Sequence, residues 1–184
     1  MMRNVFAHIA VAALLALGIG GAEGAVERAV HKEVVVSAPL DEVWNAWTTR
    51  DGVRTFFAPD ANVDARSGGP FEIFFNPYAQ PGQKGADDMR FLAVEPRRMI
   101  SFTWNAPPSL PVVRQQRSVV IVRFKTLDAR KTEVALHHVG WGEGDEWTRA
   151  YEYFDNAWGR VLAKLQQRFE SGPVDWEPVL RQLR

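Results

Sequence analysis

Residues 145–170 read DEWTRAYEYFDNAWGRVLAKLQQRFE. Trp147, Tyr151, Phe154, Trp158, Val161, Leu162, Leu165 and Phe169 recur mainly at spacings of three and four, which sets them on one face of a helix. Arg149, Glu152, Asp155, Arg160, Lys164, Gln167 and Arg168 take the other face. Asp145 is expected to cap the first turn, with Glu146 complementing the positive end of the helix dipole and Lys164 and Arg168 the negative end. Gly172 and Pro173 stop it. So bulky a stripe needs a broad apolar partner, and the segments before it read as strands that can supply one.

Moving outward, residues 132–140 and 118–126 read as two strands turning at 128–131, preceded by an irregular, proline-rich stretch, NAPPSLPVVRQQR. Residues 89–95 and 99–104 form another hairpin, with Ile100, Phe102 and Trp104 on one face. Residues 76–87 are a loop. The run ANVDARSGGPFEIFFNP gives two strands joined around Ser67-Gly68-Gly69, and alternation points Phe71, Ile73 and Phe75 inward. The first strand spans 30–36, and Pro39 then opens a helix with Leu40, Val43, Trp44 and Trp47 on one face. A short second helix is expected to hold Val53, Phe56 and Phe57 and to end near Pro59. Strands in hairpin succession between helices indicate an α+β fold, with an antiparallel sheet packed on one face by helices.

The 184 residues are 46% hydrophobic and 24% charged, which fits one domain with a proper core. A net charge of zero without Lys/Arg clustering argues against a nucleic-acid binder. Seven Trp and eleven Phe supply either buried bulk or the walls of a pocket. Residues 1–24 resemble a bacterial secretory signal peptide: Arg3, then an apolar run from Val5 to Ile19, then small residues with cleavage expected after Ala22 or Gly24. The chain has no cysteine, hence no disulfide framework and no lipoprotein attachment point. The expected layout is a signal peptide at 1–24, one domain at 25–172 and a tail at 173–184. In that tail Trp176, Val179, Leu180 and Leu183 have helical spacing, and Asp175 stands ready to cap. The expected location is periplasmic or secreted, with membrane contact only through an uncleaved signal segment.

The ordered set APLDEVWNAWT, SGGPFEIFF, VEPRRMISFTW, TEVALHHVGW and AWGRVLAKL resembles the START-like (SRPBCC) superfamily, in its branch of heat-shock-protein-90 ATPase activator homologues. The resemblance departs at Phe56-Phe57, where the branch usually has Trp, at Ala157-Trp158 in place of Gly-Trp, and around Asp88, where a glycine is expected. It implies a helix-grip fold: a curved antiparallel sheet of about seven strands wrapped on the long C-terminal helix, with a helix pair after the first strand. It also implies a cavity between sheet and helix for a small hydrophobic or amphipathic ligand. By that analogy the lining comes from Trp47, Phe57, Phe71, Ile73, Phe75, Phe91, Phe102, Trp104, Trp147, Tyr151, Phe154 and Trp158.

Alternation in TEVALHHVGW puts His138 on the apolar face and His137 toward solvent. His138 is the first candidate for orienting a ligand or acting as a general base, with Tyr151 contributing a hydroxyl at the pocket mouth. Glu72 reads as outward, Asp64 as undecided, and Arg114 and Arg117 as solvated charges that could meet an anion. No metal or cofactor is expected. The two histidines point to opposite faces, and no phosphate loop, nucleophile elbow or H-E-x-x-H motif is present. Three functions follow in order: a carrier or binder of a small hydrophobic ligand, a cyclase- or hydratase-like enzyme using His138 and Tyr151, and a chaperone co-factor of the ATPase-activator type. The sequence carries no signal for oligomeric state.

Overall fold

The computed structural model describes residues 28–184, so the expected signal peptide lies outside the described residues. β1 (Val30–Val36) is followed by α1 (Leu40–Thr48), α2 (Arg50–Arg54), β2 (Asp60–Val63), β3 (Phe71–Phe74), β4 (Gly85–Ala86), β5 (Phe91–Glu95) and β6 (Met99–Trp104). α3 (Pro111–Arg114), β7 (Ser118–Asp128), β8 (Lys131–Val139), α4 (Asp145–Ser171) and α5 (Glu177–Leu183) complete the chain. The main sheet has the order β1-β8-β7-β6-β5, and β2-β3-β4 form a second sheet, all pairs antiparallel. A bridge between Pro70 and Arg90, reinforced by Phe71 N–H donating to Met89 O at 2.8 Å and Phe91 N–H to Gly69 O at 2.9 Å, carries the curve from one sheet into the other.

Register explains the inner face. Val30 opposes His138, His138 opposes Val120, Val120 opposes Phe102 and Phe102 opposes Phe91, so one row of inward side chains crosses all five strands. α4 lies on this face and buries Trp147, Ala150, Phe154, Trp158, Leu162 and Leu165. Each large apolar side chain so buried contributes roughly 1.5–3 kcal/mol. At the sheet edge Lys32 of β1 pairs with Asp155 of α4 at 2.8 Å. α1 packs against β7 and β8 of the main sheet, setting Trp44 edge-on to Phe124 of β7 at 5.4 Å. The elbow between α1 and α2 requires Gly52, because a Cβ there would fall 2.1 Å from Asn45 O.

Several local expectations change. Asp145 is the first residue of α4 and caps nothing; the N-cap position belongs to Gly144, at φ 101°, and makes no side-chain cap. Glu146 instead accepts Val113 N–H at 2.8 Å, tying α3 to the start of α4. α2 ends at Arg54, and Phe56 and Phe57 follow in a tight turn closed by Phe57 N–H to Val53 O, both still buried. β3 ends at Phe74, so Phe75 does not point into the core and is 43% exposed. The loop at 76–87 contains the two-residue β4, which brings the strands to eight. In the tail, Trp176 donates its indole N–H to Arg54 O at 2.6 Å and lies beneath Lys164, while Asp175 accepts Glu177 N–H.

Candidate functional site

Most rings beneath α4 fill their space. Trp47, Phe71, Ile73, Phe91 and Phe102 are fully buried and belong to solid core. Phe71 sits 4.2 Å from Phe102 and 4.8 Å from Phe91, centroid to centroid. Trp147 packs at the far end of the helix, where a Cβ on Gly142 would strike its indole. None of these borders open volume, so the expectation that they line a ligand cavity is corrected.

An open volume walled mainly by apolar side chains lies at one end, where α4 passes over the tips of β3, β4 and β6. It measures about 270 Å³. One wall is the helix, presenting Tyr153, Phe154, Ala157, Trp158 and Val161 at spacings of three and four. Phe57 and Trp104 form the floor: Trp104 lies 5.2 Å from Trp158, and Phe57 stacks on Trp104 at 5.9 Å. Phe75, displaced from the core, stands at the mouth 6.0 Å from Phe57. Of the residues expected to line a cavity, Phe57, Phe75, Trp104, Phe154 and Trp158 therefore do so.

His138 does not reach this cleft. Its Nδ1 accepts the indole N–H of Trp158 at 2.9 Å, which leaves the proton on Nε2. Nε2 lies 2.6 Å from Ser118 Oγ, and Ser118 in turn donates to Trp104 O at 3.3 Å. Both ring nitrogens are thus committed in a chain running indole, imidazole, hydroxyl, carbonyl. Burial away from any charge pushes the imidazole down to about 3, so it stays neutral. Phe154 and Trp158 stand between it and the cleft at 4.9 and 5.9 Å. The inward orientation read from strand parity is correct, whereas the role of ligand-orienting group or general base is not. Tyr151 fares likewise: its hydroxyl donates to Ala29 O at 3.1 Å and Arg28 covers its ring, on a side of α4 away from the cleft. His137 faces outward as expected and stacks on His31 across the strand pair at 4.4 Å. Burial and the neighbouring His31 lower its pKa.

The remaining polar wall comes from loops with no pattern that singles them out. Asp87 accepts N–H groups of Gly82 and Gly85, each at 2.9 Å, and pairs with Arg114 at 3.5 Å, both side chains nearly buried. Arg114 also donates to the carbonyls of Gly82, Gly85 and Ala106. It is therefore a staple between the 82–87 loop, the end of β6 and α3, not a solvated charge awaiting an anion. Burial lowers its pKa, opposed by Asp87. Arg117 is exposed and donates to Arg114 O. Glu72 accepts from Asn62 and from Asp88 N–H on the outer face, and Asp64 pairs with Arg66. Lys84 and Asn105, missed in the sequence, border the cleft. Neither carried a signal in the sequence: Asn105 stands one residue past the end of β6, where alternation no longer applies, and Lys84 lies in a loop without periodicity.

The model of the family described as Activator of Hsp90 ATPase homolog 1-like protein matches residues 37–170. Among solved structures, protein MLL2253 from Mesorhizobium loti is 25% identical, with 80% of this chain and 100% of that chain covered and a TM-score of 0.63. The Aha1 dimer from Colwellia psychrerythraea is 18% identical over 79% of this chain and 98% of that one, at a TM-score of 0.59. CalU16 from Micromonospora echinospora is 22% identical over 85% and 81%, at 0.58. These structural likenesses carry the fold. No curated protein matches the chain by sequence.

Proposed function

The chain belongs to the Activator of Hsp90 ATPase homolog 1-like family, and we propose that it binds a small hydrophobic or amphipathic ligand in the cleft under α4 without transforming it. The observation that carries this reading is the unfilled volume of about 270 Å³ walled by Phe57, Trp104, Phe154 and Trp158. An engineered apolar cavity of about 150 Å³ holds a benzene, so this space suits a molecule of one or two rings. Rings already fixed by neighbours lose little freedom when a ligand stacks on them, which favours affinity. The signal-like segment at 1–24 supports binding outside the cytoplasm.

Nothing in the geometry favours the enzyme reading, since His138 has no free nitrogen and Tyr151 points elsewhere. A chaperone-activator role draws on the family name and the Colwellia likeness, but export would part the chain from a cytosolic ATP-driven chaperone. Native mass spectrometry of protein purified from its own host tests the binding reading, with Ala157→Phe as the control. The larger side chain projects from a half-buried position of α4 into the cleft and should abolish ligand carry-over while leaving the melting temperature within a few degrees. Wild-type protein that emerges empty and shows no affinity for one- and two-ring compounds would refute it.

A further inference from the structure

The cleft is chemically one-sided. Among the described residues, α4 contributes no ionised group to it, no carboxylate borders it, and the sole formal charge in the wall is Lys84. The Lys84 ammonium lies 5.3 Å from the Phe74 ring centroid and has no ion-pair partner among the described residues. The nearest acid in sequence, Asp87, is already consumed by Arg114 and three backbone N–H groups, those of Gly82, Lys84 and Gly85. Asn105 is the second polar feature. The residue is only 7% exposed, its carboxamide makes no hydrogen bond among the described residues, and it borders the open volume. Its atoms are not among the buried ones left without a partner, so the carboxamide keeps solvent access, and the cleft it borders is where a ligand could replace that solvent.

We propose that the ligand is a compact organic anion, a one- or two-ring carboxylic acid whose carboxylate meets the Lys84 ammonium and the Asn105 amide N–H while its ring lies on Trp104 and Trp158. This rests on the cleft being a ligand site. A carboxylate uses both groups at once: it neutralises the lone cation and accepts from the uncommitted amide N–H through charge-assisted bonds. A cationic ligand would meet only a like charge. A neutral hydrocarbon would displace solvent from Asn105 and offer it no partner in return.

The test titrates the full chain with 2-naphthoate, 2-naphthamide and 2-naphthylmethylamine by calorimetry. The three share a ring system and differ in charge. Naphthoate should bind at least tenfold tighter than the amide, and the amine weakest. Lys84→Gln, on an exposed loop, should reduce naphthoate to the affinity of the amide without changing the amide more than threefold; Asn105→Ala should weaken naphthoate several-fold. Equal affinity for naphthoate and naphthamide, both lost in Ala157→Phe, would overturn the anion assignment and leave the cleft standing as a neutral-ligand site. A naphthoate preference that survives in Lys84→Gln would also overturn it. Failure of all three probes to bind would remove the assignment together with the binding reading beneath it.

Discussion

Replacing His138 with glutamine removes a proton-binding group from the core but keeps an acceptor for Trp158 and a donor for Ser118. The consequence appears in how stability depends on pH. In the folded chain the imidazole is pushed down to about 3, against 6.5 when exposed, by burial alone. Above pH 6.5 the ring is neutral in both states and adds no pH dependence. As pH falls below 6.5 the unfolded chain takes up a proton that the buried ring refuses, so stability declines by about 1.4 kcal/mol per pH unit until pH 3. Across the whole window the loss is on the order of 5 kcal/mol; between pH 7.5 and 4.5 it is about 2–3 kcal/mol. Urea denaturation followed by tryptophan fluorescence at those two pH values measures it. His138→Gln should start about 1–3 kcal/mol less stable at pH 7.5, from poorer hydrogen-bond geometry, yet lose about 2–3 kcal/mol less on acidification than wild type. The stacked His31 and His137 are present in both proteins and cancel. Parallel pH dependence in the two proteins would refute the sealed, neutral imidazole.

Gly159 lies in the interior of α4, and a Cβ added there meets nothing within 4 Å; Gly159→Ala should therefore stabilise the fold by about 0.5–1 kcal/mol, read as a raised melting temperature. Arg114→Met strips the partner from nearly buried Asp87 and should cost about 3–5 kcal/mol, with faster limited proteolysis at the 82–87 loop before any loss of helical circular dichroism. Leu165→Ala, at a fully buried position of α4 remote from the cleft, should cost about 2–5 kcal/mol by cavity formation and leave naphthoate affinity in the surviving folded fraction unchanged.

The long helix was legible because twenty-odd residues of unbroken three-and-four spacing admit no other reading, and Gly172 with Pro173 fixes where it stops. Its buried face was misjudged by one place: bulk selected Tyr151, but the helix buries Ala150, and Tyr151 lies at the flank with its hydroxyl on Ala29. Strand parity was equally readable at Phe71, Ile73, Phe102, Trp104 and His138, where alternation is strict. It failed at Phe75 because parity has no meaning one residue beyond the end of a strand. The site was harder. Inward-pointing aromatics identify the core, not the place where the core stops filling. That place is set by loops at 76–87 and 105–117, which have no periodicity, and by an ion pair between Asp87 and Arg114 that no local pattern announces.

Why the volume opens at this end follows from side-chain size. Around Trp47, Phe71 and Phe102, ring faces ring and nothing remains. At the cleft, Phe57, Trp104 and Trp158 meet the small residues Gly85, Ala86 and Ala106. Gly85 cannot be enlarged to close the gap: its φ is +153°, and a Cβ would fall 2.4 Å from Ile73 O across the β3–β4 pairing. The small wall is thus imposed by backbone geometry, and Arg114 holds that backbone by three of its carbonyls. The opposite wall is held just as firmly, because the Trp158 indole cannot swing inward while its N–H is bound to His138. His138 then acts as a positioning residue for a cleft it never touches: the neutral imidazole fixes the Trp158 indole and, through Ser118, the backbone carbonyl of Trp104, so one buried hydrogen-bond chain ties the helix wall to the strand that carries the floor.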